Sequence, residues 1–260
     1  MLLSVSEITA WIGTILWPLT RIAAMVSVAP VFGSRVLPRR VRLALALALT
    51  WTVLPLLPSA PAVEPISTTG LLITAQQVLI GLSMGFTLRL VLAALAIGGQ
   101  LIATQMGLGF ANLVDPQNGE PMPLLSHFYD LTGTLLFLAL NGHLALIETL
   151  VESFRTLPIT NLEPPSNALW NLVGWASYMF GGAVLIALPA ITALMVINLA
   201  FGIMTRAAPQ LNIFTVGFPI SMLMGIFIVL YSLPSLLPQL QQLLDTAFQT
   251  LWTLTAEGSA

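Results

Sequence analysis

The sequence predicts an all-α integral membrane protein built from long helical hairpins. Hydrophobic residues make up 57% of its 260 residues and charged residues only 7%, against about 25% charged residues in typical soluble domains. The apolar residues are concentrated in long runs separated by short connections rich in proline and polar residues. Such runs favour helices, since a helix pairs its backbone N–H and C=O groups within one segment of lipid-embedded chain.

Six hydrophobic segments are predicted to form helices, followed by an amphipathic C-terminal helix. After Tyr231, several apolar side chains recur at helical spacing on one face, which predicts the amphipathic helix. These are Leu236, Leu240, Leu243, Leu244 and Phe248. The six segments cover residues 8–32, 43–57, 70–106, 124–150, 169–204 and 213–231.

Two of these segments are too long for a simple crossing of a bilayer. At about 1.5 Å per residue, residues 70–106 would reach ~55 Å and residues 169–204 ~54 Å, against ~30 Å of hydrocarbon. The excess predicts that these helices are partly surrounded by protein, and therefore that the chain assembles with partner subunits.

The arginines predict an orientation in the membrane. All basic residues are arginine, and four of them lie in the first loop, with another in the fifth. Because basic residues favour the cytoplasmic side, loops one, three and five are expected to be cytoplasmic and both termini to face the other side. The five arginines are Arg35, Arg39, Arg40, Arg42 and Arg206.

Three ionisable residues lie inside apolar segments: Arg21, Arg89 and Asp130. Such residues are costly in lipid and usually face a protein interior or an aqueous path. An arginine paired with Asp130 would lock helices together. The alternative is a secondary transporter or ion-conducting membrane protein that uses these three residues. Transporters of that class often contain inverted repeats with paired broken helices, and the two halves of this chain show no convincing match.

The composition argues against most other functions. There is no cysteine, both histidines lie in one segment, and no nucleotide-binding or nucleophile motif is present, so no enzyme activity, metal or cofactor is expected. A net charge of −2 gives no basic surface for nucleic acid. Around residues 140–143, Asn141 and Gly142 are expected to end or kink the fourth segment. Glycines at three places are expected to permit close helix packing: Gly81 and Gly85, Gly98 and Gly99, and Gly181 and Gly182.

Two connections contain distinctive residues. Residues 105–123, QMGLGFANLVDPQNGEPMP, cannot continue a helix, so their backbone must be satisfied by protein or water. The fifth connection contains Arg206, which suits a helix C-terminus, Pro209, which stops a helix, Gln210, and Asn212, which can cap the next helix.

These connections carry a family resemblance that covers nearly the whole chain. The segments QMGLGFANLVDPQNG, LLFLALNGHLALIETLVESF and RAAPQLNIFTVGFPI resemble those of the FliR family of flagellar type III export proteins, which is shared with injectisome counterparts. The resemblance implies a subunit that forms a closed export gate with FliP and FliQ in the bacterial inner membrane, at the flagellar basal body. It implies that exported flagellar subunits pass through this gate, and that the assembly extends to the periplasmic side.

The resemblance also implies domains and further partners. Residues 1–167 would form a FliP-like part and residues 168–260 a FliQ-like helical hairpin. The turn with Arg206, Pro209, Gln210 and Asn212 would contact FlhB, and FlhA would couple the gate to the energy source.

Under the same resemblance, the 105–123 loop plugs the pore. Apolar side chains would seal against ions, glycines would give the backbone freedom to move, and an aspartate before proline favours a turn. The residues assigned to the plug are Met106, Gly107, Gly109, Phe110, Asn112, Asp115, Pro116 and Gly119. The alternative is a plain cytoplasmic connection without a gating role.

Overall fold

The computed structural model describes residues 5–34, 37–57, 61, 63–108, 124–159, 168–207 and 217–256. Within these ranges the chain is helical and contains no β-strand, which confirms the predicted all-α class. The helices are α1 (Val5–Val28), α2 (Arg39–Val53) with a short 3-10 turn (Leu54–Leu56), α3 (Thr68–Gln105), α4 (Leu124–Ala139), α5 (Gly142–Thr156), α6 (Ala168–Ala207) and α7 (Phe218–Ala256).

Four of the described helices are long and apolar enough to cross a membrane, namely α1, α3, α6 and α7. The count rises to five if the bent pair α4 and α5 is one span. The second predicted segment forms α2, which has only 15 residues, fewer than the about 20 that a crossing needs. The membrane-protein class is confirmed, whereas the count of six segments is not.

The break in the fourth segment lies where it was predicted. Helix α4 ends at Ala139 and α5 begins at Gly142, and Asn141 between them has a φ of 57°. Asparagine tolerates this left-handed backbone better than most residues, because its side chain can bond locally.

Helices α3, α6 and α7 contain 38, 40 and 39 residues, so they reach about 57 to 60 Å at 1.5 Å per residue. In α3, 50% of the span is buried within the chain, but in α6 and α7 only 22% is. The long apolar surfaces of α6 and α7 are therefore left for lipid or other chains.

The C-terminal helix differs from the prediction in one respect. The amphipathic tail is helical, but it is the second half of α7, which continues through Pro234 and Pro238. The predicted apolar face is correct, since Leu236, Leu240 and Leu244 are buried.

The contacts divide the chain into two compact units. Unit 1 contains Met1–Leu90, Leu138–Ala176 and Leu244–Ala260, and unit 2 contains Val91–Phe137 and Ser177–Leu243. Among the described residues of unit 1, the largest buried side chains include Trp17, Arg21 and Phe154. In unit 2 they include Tyr129 and Phe137.

In unit 1, glycines allow α1 and α3 to pack closely, as the sequence predicted. A methyl group added at Gly81 would meet the carbonyl oxygen of Arg21, and one added at Gly85 would lie 2.8 Å from that of Met25. Both obstacles are backbone atoms, so only glycine fits at these two crossing points.

In unit 2, two helix pairs run antiparallel. A methyl group added at Gly99 of α3 would meet Ser126 of α4, and one added at Gly133 of α4 would meet Leu95 of α3. Ser126 Oγ also donates to Ala96 O at 2.8 Å. Helices α6 and α7 meet where Ser221 bonds Asn198 and where Gly182 packs against Leu243. Unit 2 therefore contains the two helix ends on either side of the 105–123 loop, together with a hairpin of α6 and α7.

Candidate functional site

Helix α3 ends with two backbone hydrogen bonds and a glycine in the left-handed conformation. Met106 N donates to Ile102 O at 3.0 Å and Gly107 N donates to Thr104 O at 3.0 Å. Gly107 then takes a φ of 80°, a left-handed conformation that is common just after a helix and that glycine adopts without strain. Gly107, which was predicted to give the loop backbone freedom, therefore forms the turn that terminates α3.

Met106 is packed onto α7. Its side chain is 2% exposed and lies so close to Gly225 that a methyl group added there would be 2.5 Å from Met106 Cγ. The same methyl would be 2.7 Å from Met106 Sδ and Cε. The first residue after α3 is thus buried against a glycine of a helix more than a hundred residues later in the chain.

A polar bridge links the same helix end to α6 and α7. Asn198 Nδ2 donates to Gln105 O at 3.5 Å, and Asn198 Oδ1 accepts a hydrogen bond of 2.9 Å from Ser221 Oγ. Ser221 is 6% exposed. The last carbonyl groups of a helix have no partner inside it, and here one of them faces a side-chain amide of a neighbouring helix.

An apolar cavity of about 190 Å³ lies beside Met106. Residues of α4 and α7 form most of its wall, including Leu125, which lies one residue after the start of α4. The lining residues are Met106, Leu125, Phe128, Ile226, Val229, Leu230 and Leu233. Met106, near the start of the 105–123 loop, and Leu125, just after its end, therefore line the same apolar pocket.

Most of the predicted plug and turn residues lie outside the described residues. Met106 and Gly107 are described as above, and Arg206 lies exposed in the last turn of α6. The others are Gly109, Phe110, Asn112, Asp115, Pro116 and Gly119 of the loop, and Pro209, Gln210 and Asn212 of the turn.

Arg21 forms a separate buried cluster in unit 1. Its side chain is fully buried, its Nε donates to Gln77 Oε1 at 2.7 Å, and its Nη2 donates to Leu157 O at 2.8 Å. Its Nη1 donates to Ser153 O at 2.7 Å and to Ser153 Oγ at 3.1 Å. Because Ser153 and Leu157 lie at the end of α5, the positive guanidinium satisfies carbonyls at the negative end of a helix.

The other two predicted intramembrane charges are placed differently. Arg89 of α3 is exposed on the surface of the chain and belongs to unit 1, whereas Asp130 of α4 is half-buried and belongs to unit 2. The acceptors described for Arg21 are uncharged groups. The pairing of an arginine with Asp130 stays a prediction.

Sequence reasoning did not find Gly225, Asn198 and Ser221. Their role depends on contacts between distant helices, and a single glycine or serine in an apolar helix gives no signal of its own.

For metal binding, the described residues contain no group of three His, Asp or Glu side chains suited to hold an ion. What the arrangement provides is a fixed helix end beside an apolar cavity.

Comparison with known proteins identifies the family. The family model described as "Bacterial export proteins, family 1" matches residues 12–247. The chain is 40% identical to the flagellar biosynthetic protein FliR of Escherichia coli (strain K12) over 248 residues, which cover 95% of each chain. The chain belongs to the FliR family. Relatives of the same name from Pectobacterium carotovorum and Aquifex aeolicus are 39% and 36% identical, over 98% and 85% of this chain and 97% and 85% of their own.

FliR membership settles the broad function that the sequence predicted. The chain is a flagellar biosynthetic protein of a bacterial export family, embedded in a membrane through several apolar helices. It is a component of the export apparatus and not an enzyme.

Proposed function

We propose that this FliR-family chain is one subunit of the flagellar export gate, and that its 105–123 loop plugs the pore. The subunit assembles with FliP and FliQ into a closed channel for unfolded flagellar subunits in the bacterial inner membrane. FlhB contacts the turn at Arg206, Pro209, Gln210 and Asn212, and FlhA couples the gate to its energy source.

The observation that carries the plug proposal is the anchoring of both neighbouring helix ends. Met106 is buried against Gly225, and the start of α4 is held to α3 because Ser126 Oγ donates to Ala96 O at 2.8 Å. A loop that closes a pore must depart from fixed points, because any movement of its ends would open a path for ions. An ordinary connection has no such requirement.

Helix lengths and exposed surfaces support assembly with partners. Helices α3, α6 and α7 exceed the bilayer thickness, and α6 and α7 leave most of their apolar residues unburied. We propose that residues 168–260 act as a FliQ-like hairpin, and residues 1–167 as a FliP-like part, so that one copy joins the FliP and FliQ subunits. The assembly extends to the periplasmic side.

The surroundings of Arg21 favour this proposal over ion conduction. Each nitrogen of its guanidinium already donates to a protein acceptor, and the side chain is fully buried. A residue that conducts ions or protons needs access to water, whereas a residue that holds helices together does not.

Assembly is tested by producing the chain together with FliP and FliQ of the same bacterium and weighing the intact complex by native mass spectrometry. The expected result is one complex that contains all three proteins with a single copy of this chain. A chain that stays alone in mild detergent, while FliP and FliQ associate without it, would contradict the proposal.

A further inference from the structure

We infer that Gly225, Asn198 and Ser221 form a seat that positions the end of α3, and with it the point from which the 105–123 loop departs. The inference rests on the proposed function, because a fixed departure point matters for closure only if the loop closes the pore. All three residues belong to unit 2, as do Gln105 and Met106.

The first part of the seat is steric. Gly225 lies in the interior of α7, where alanine would be the better helix former. A glycine at such a position therefore calls for a packing reason, and the contact with Met106 supplies one. Any larger residue at position 225 would force the Met106 side chain out of its contact with α7, and the end of α3 would lose this support.

The second part is polar. Asn198 of α6 accepts a hydrogen bond of 2.9 Å from Ser221 of α7 and makes a longer, exposed contact of 3.5 Å with Gln105 O. The amide therefore joins three helices at the last residue of α3. Since Ser221 precedes Gly225 by one helical turn, the polar bridge and the steric contact act on the same face of α7.

The cavity offers space into which Met106 can move when it leaves its contact with α7. It lies directly beside Met106 and is lined by apolar residues. Methionine is unbranched and adapts its shape at little cost, so its side chain can turn toward this space once its contact with Gly225 is lost. A seat of this kind holds the loop's departure point in the resting state and lets it move when a substrate passes.

The experiment uses the assembled FliP, FliQ and FliR-family complex with four variants of this chain: Gly225→Ala, Met106→Ala, the double variant and Gly181→Ala. Gly181→Ala is the matched control, because a methyl group added at Gly181, also in a long helix of unit 2, meets no atom within 4 Å. Two quantities are measured: the melting temperature of the isolated chain in detergent, and the ion conductance of the resting complex in planar bilayers.

Gly225→Ala is expected to lower the melting temperature by about 2–12 °C, the range for overpacking in a chain of this size, and to raise the resting conductance several-fold. In the Met106→Ala background the obstructing atoms are absent, so the same substitution is expected to raise the melting temperature slightly and to leave the conductance unchanged. Gly181→Ala is expected to leave the conductance at the level of the unmodified complex.

Equal effects of Gly225→Ala in both backgrounds would overturn the seat. So would a lower melting temperature without any change in conductance, because Gly225 would then be a packing residue only. Failure of the plug itself gives a different result: removal of residues 107–119 would leave the resting conductance unchanged, whatever the position 225 variants do.

Discussion

The guanidinium carbon of Arg21 lies 4.1 Å from the centroid of the Phe154 ring. The cation stacks on an aromatic residue of α5 while its nitrogens bond the carbonyls of Ser153 and Leu157 on either side of that residue. Arg21 thereby connects α1 to the C-terminus of α5 and, through Gln77, to α3. The carbonyl groups at the C-terminus of α5 therefore explain why the apolar helix α1 contains the positive charge of Arg21.

We predict that Arg21→Lys destabilises the chain although it keeps the charge. Lysine has no planar fork with which to reach Gln77, Ser153 and Leu157 together, and each buried carbonyl left unpaired costs about 1–3 kcal/mol. The expected result is a lower melting temperature and a lower yield of the assembled complex. Normal stability of Arg21→Lys with loss of export would instead support a conducting role.

We predict that Gly81→Ala separates α1 from α3. The added methyl group would meet the backbone oxygen of Arg21, which cannot move aside as a side chain can, and overpacking of this kind costs about 1–3 kcal/mol. Thermal unfolding in detergent measures the loss. The control is again Gly181→Ala, for which the gain in helix propensity of at most about 1 kcal/mol should dominate; equal destabilisation of both variants would refute the close packing at Gly81.

We predict that Ser221→Ala weakens the polar bridge by about 1 kcal/mol, the usual net value of a hydrogen bond. Once Asn198 is replaced by alanine, Ser221→Ala should cost less, because the bond is already lost. Ser235→Ala is a control on the same helix, since that hydroxyl donates to the backbone of its own helix, at Ser232 O. Full additivity of the Asn198 and Ser221 substitutions in melting temperature would show that the two residues are not coupled.

We predict that Asp130→Ala lowers the yield of the assembled complex before it affects transport. A half-buried carboxylate in an apolar helix is retained where it has a structural partner or faces water. The yield is measured by co-purification with FliP and FliQ, and Asp130→Asn, which keeps the shape and the capacity for hydrogen bonds, should lose less. A normal yield with loss of secretion in both variants would favour the transporter alternative.

The sequence predicted the features that depend on local pattern. The helix ends at Gln105 and Leu124 lie within one residue of the predicted limits of their apolar segments. Asn141 and Gly142 mark a real break, and Gly81 and Gly85 mark a real close approach. At Gly181 the predicted close approach is wrong, since an added methyl group meets no described atom within 4 Å. Each of these depends on a residue type whose backbone preference is strong enough to act locally.

Other features could not be read from the sequence. An amphipathic C-terminal helix was predicted apart from the sixth segment, but α7 continues through Pro234 and Pro238; neighbouring helices can support a proline-containing helix in a membrane. The acceptors of Arg21 lie up to 136 residues away in the chain. The seat of Met106 likewise depends on which helices meet in space, and hydropathy does not encode this.

The most direct test of the account is the resting ion conductance of the complex with FliP and FliQ after residues 107–119 are replaced by a glycine-serine linker of equal length. The linker keeps the connection between α3 and α4, so assembly should be preserved, and native mass spectrometry verifies this before each recording. The conductance is expected to be clearly above that of the unmodified complex, because the plug is absent. A fully assembled complex whose ion conductance stays as low as that of the unmodified one would show that residues 107–119 do not plug the pore.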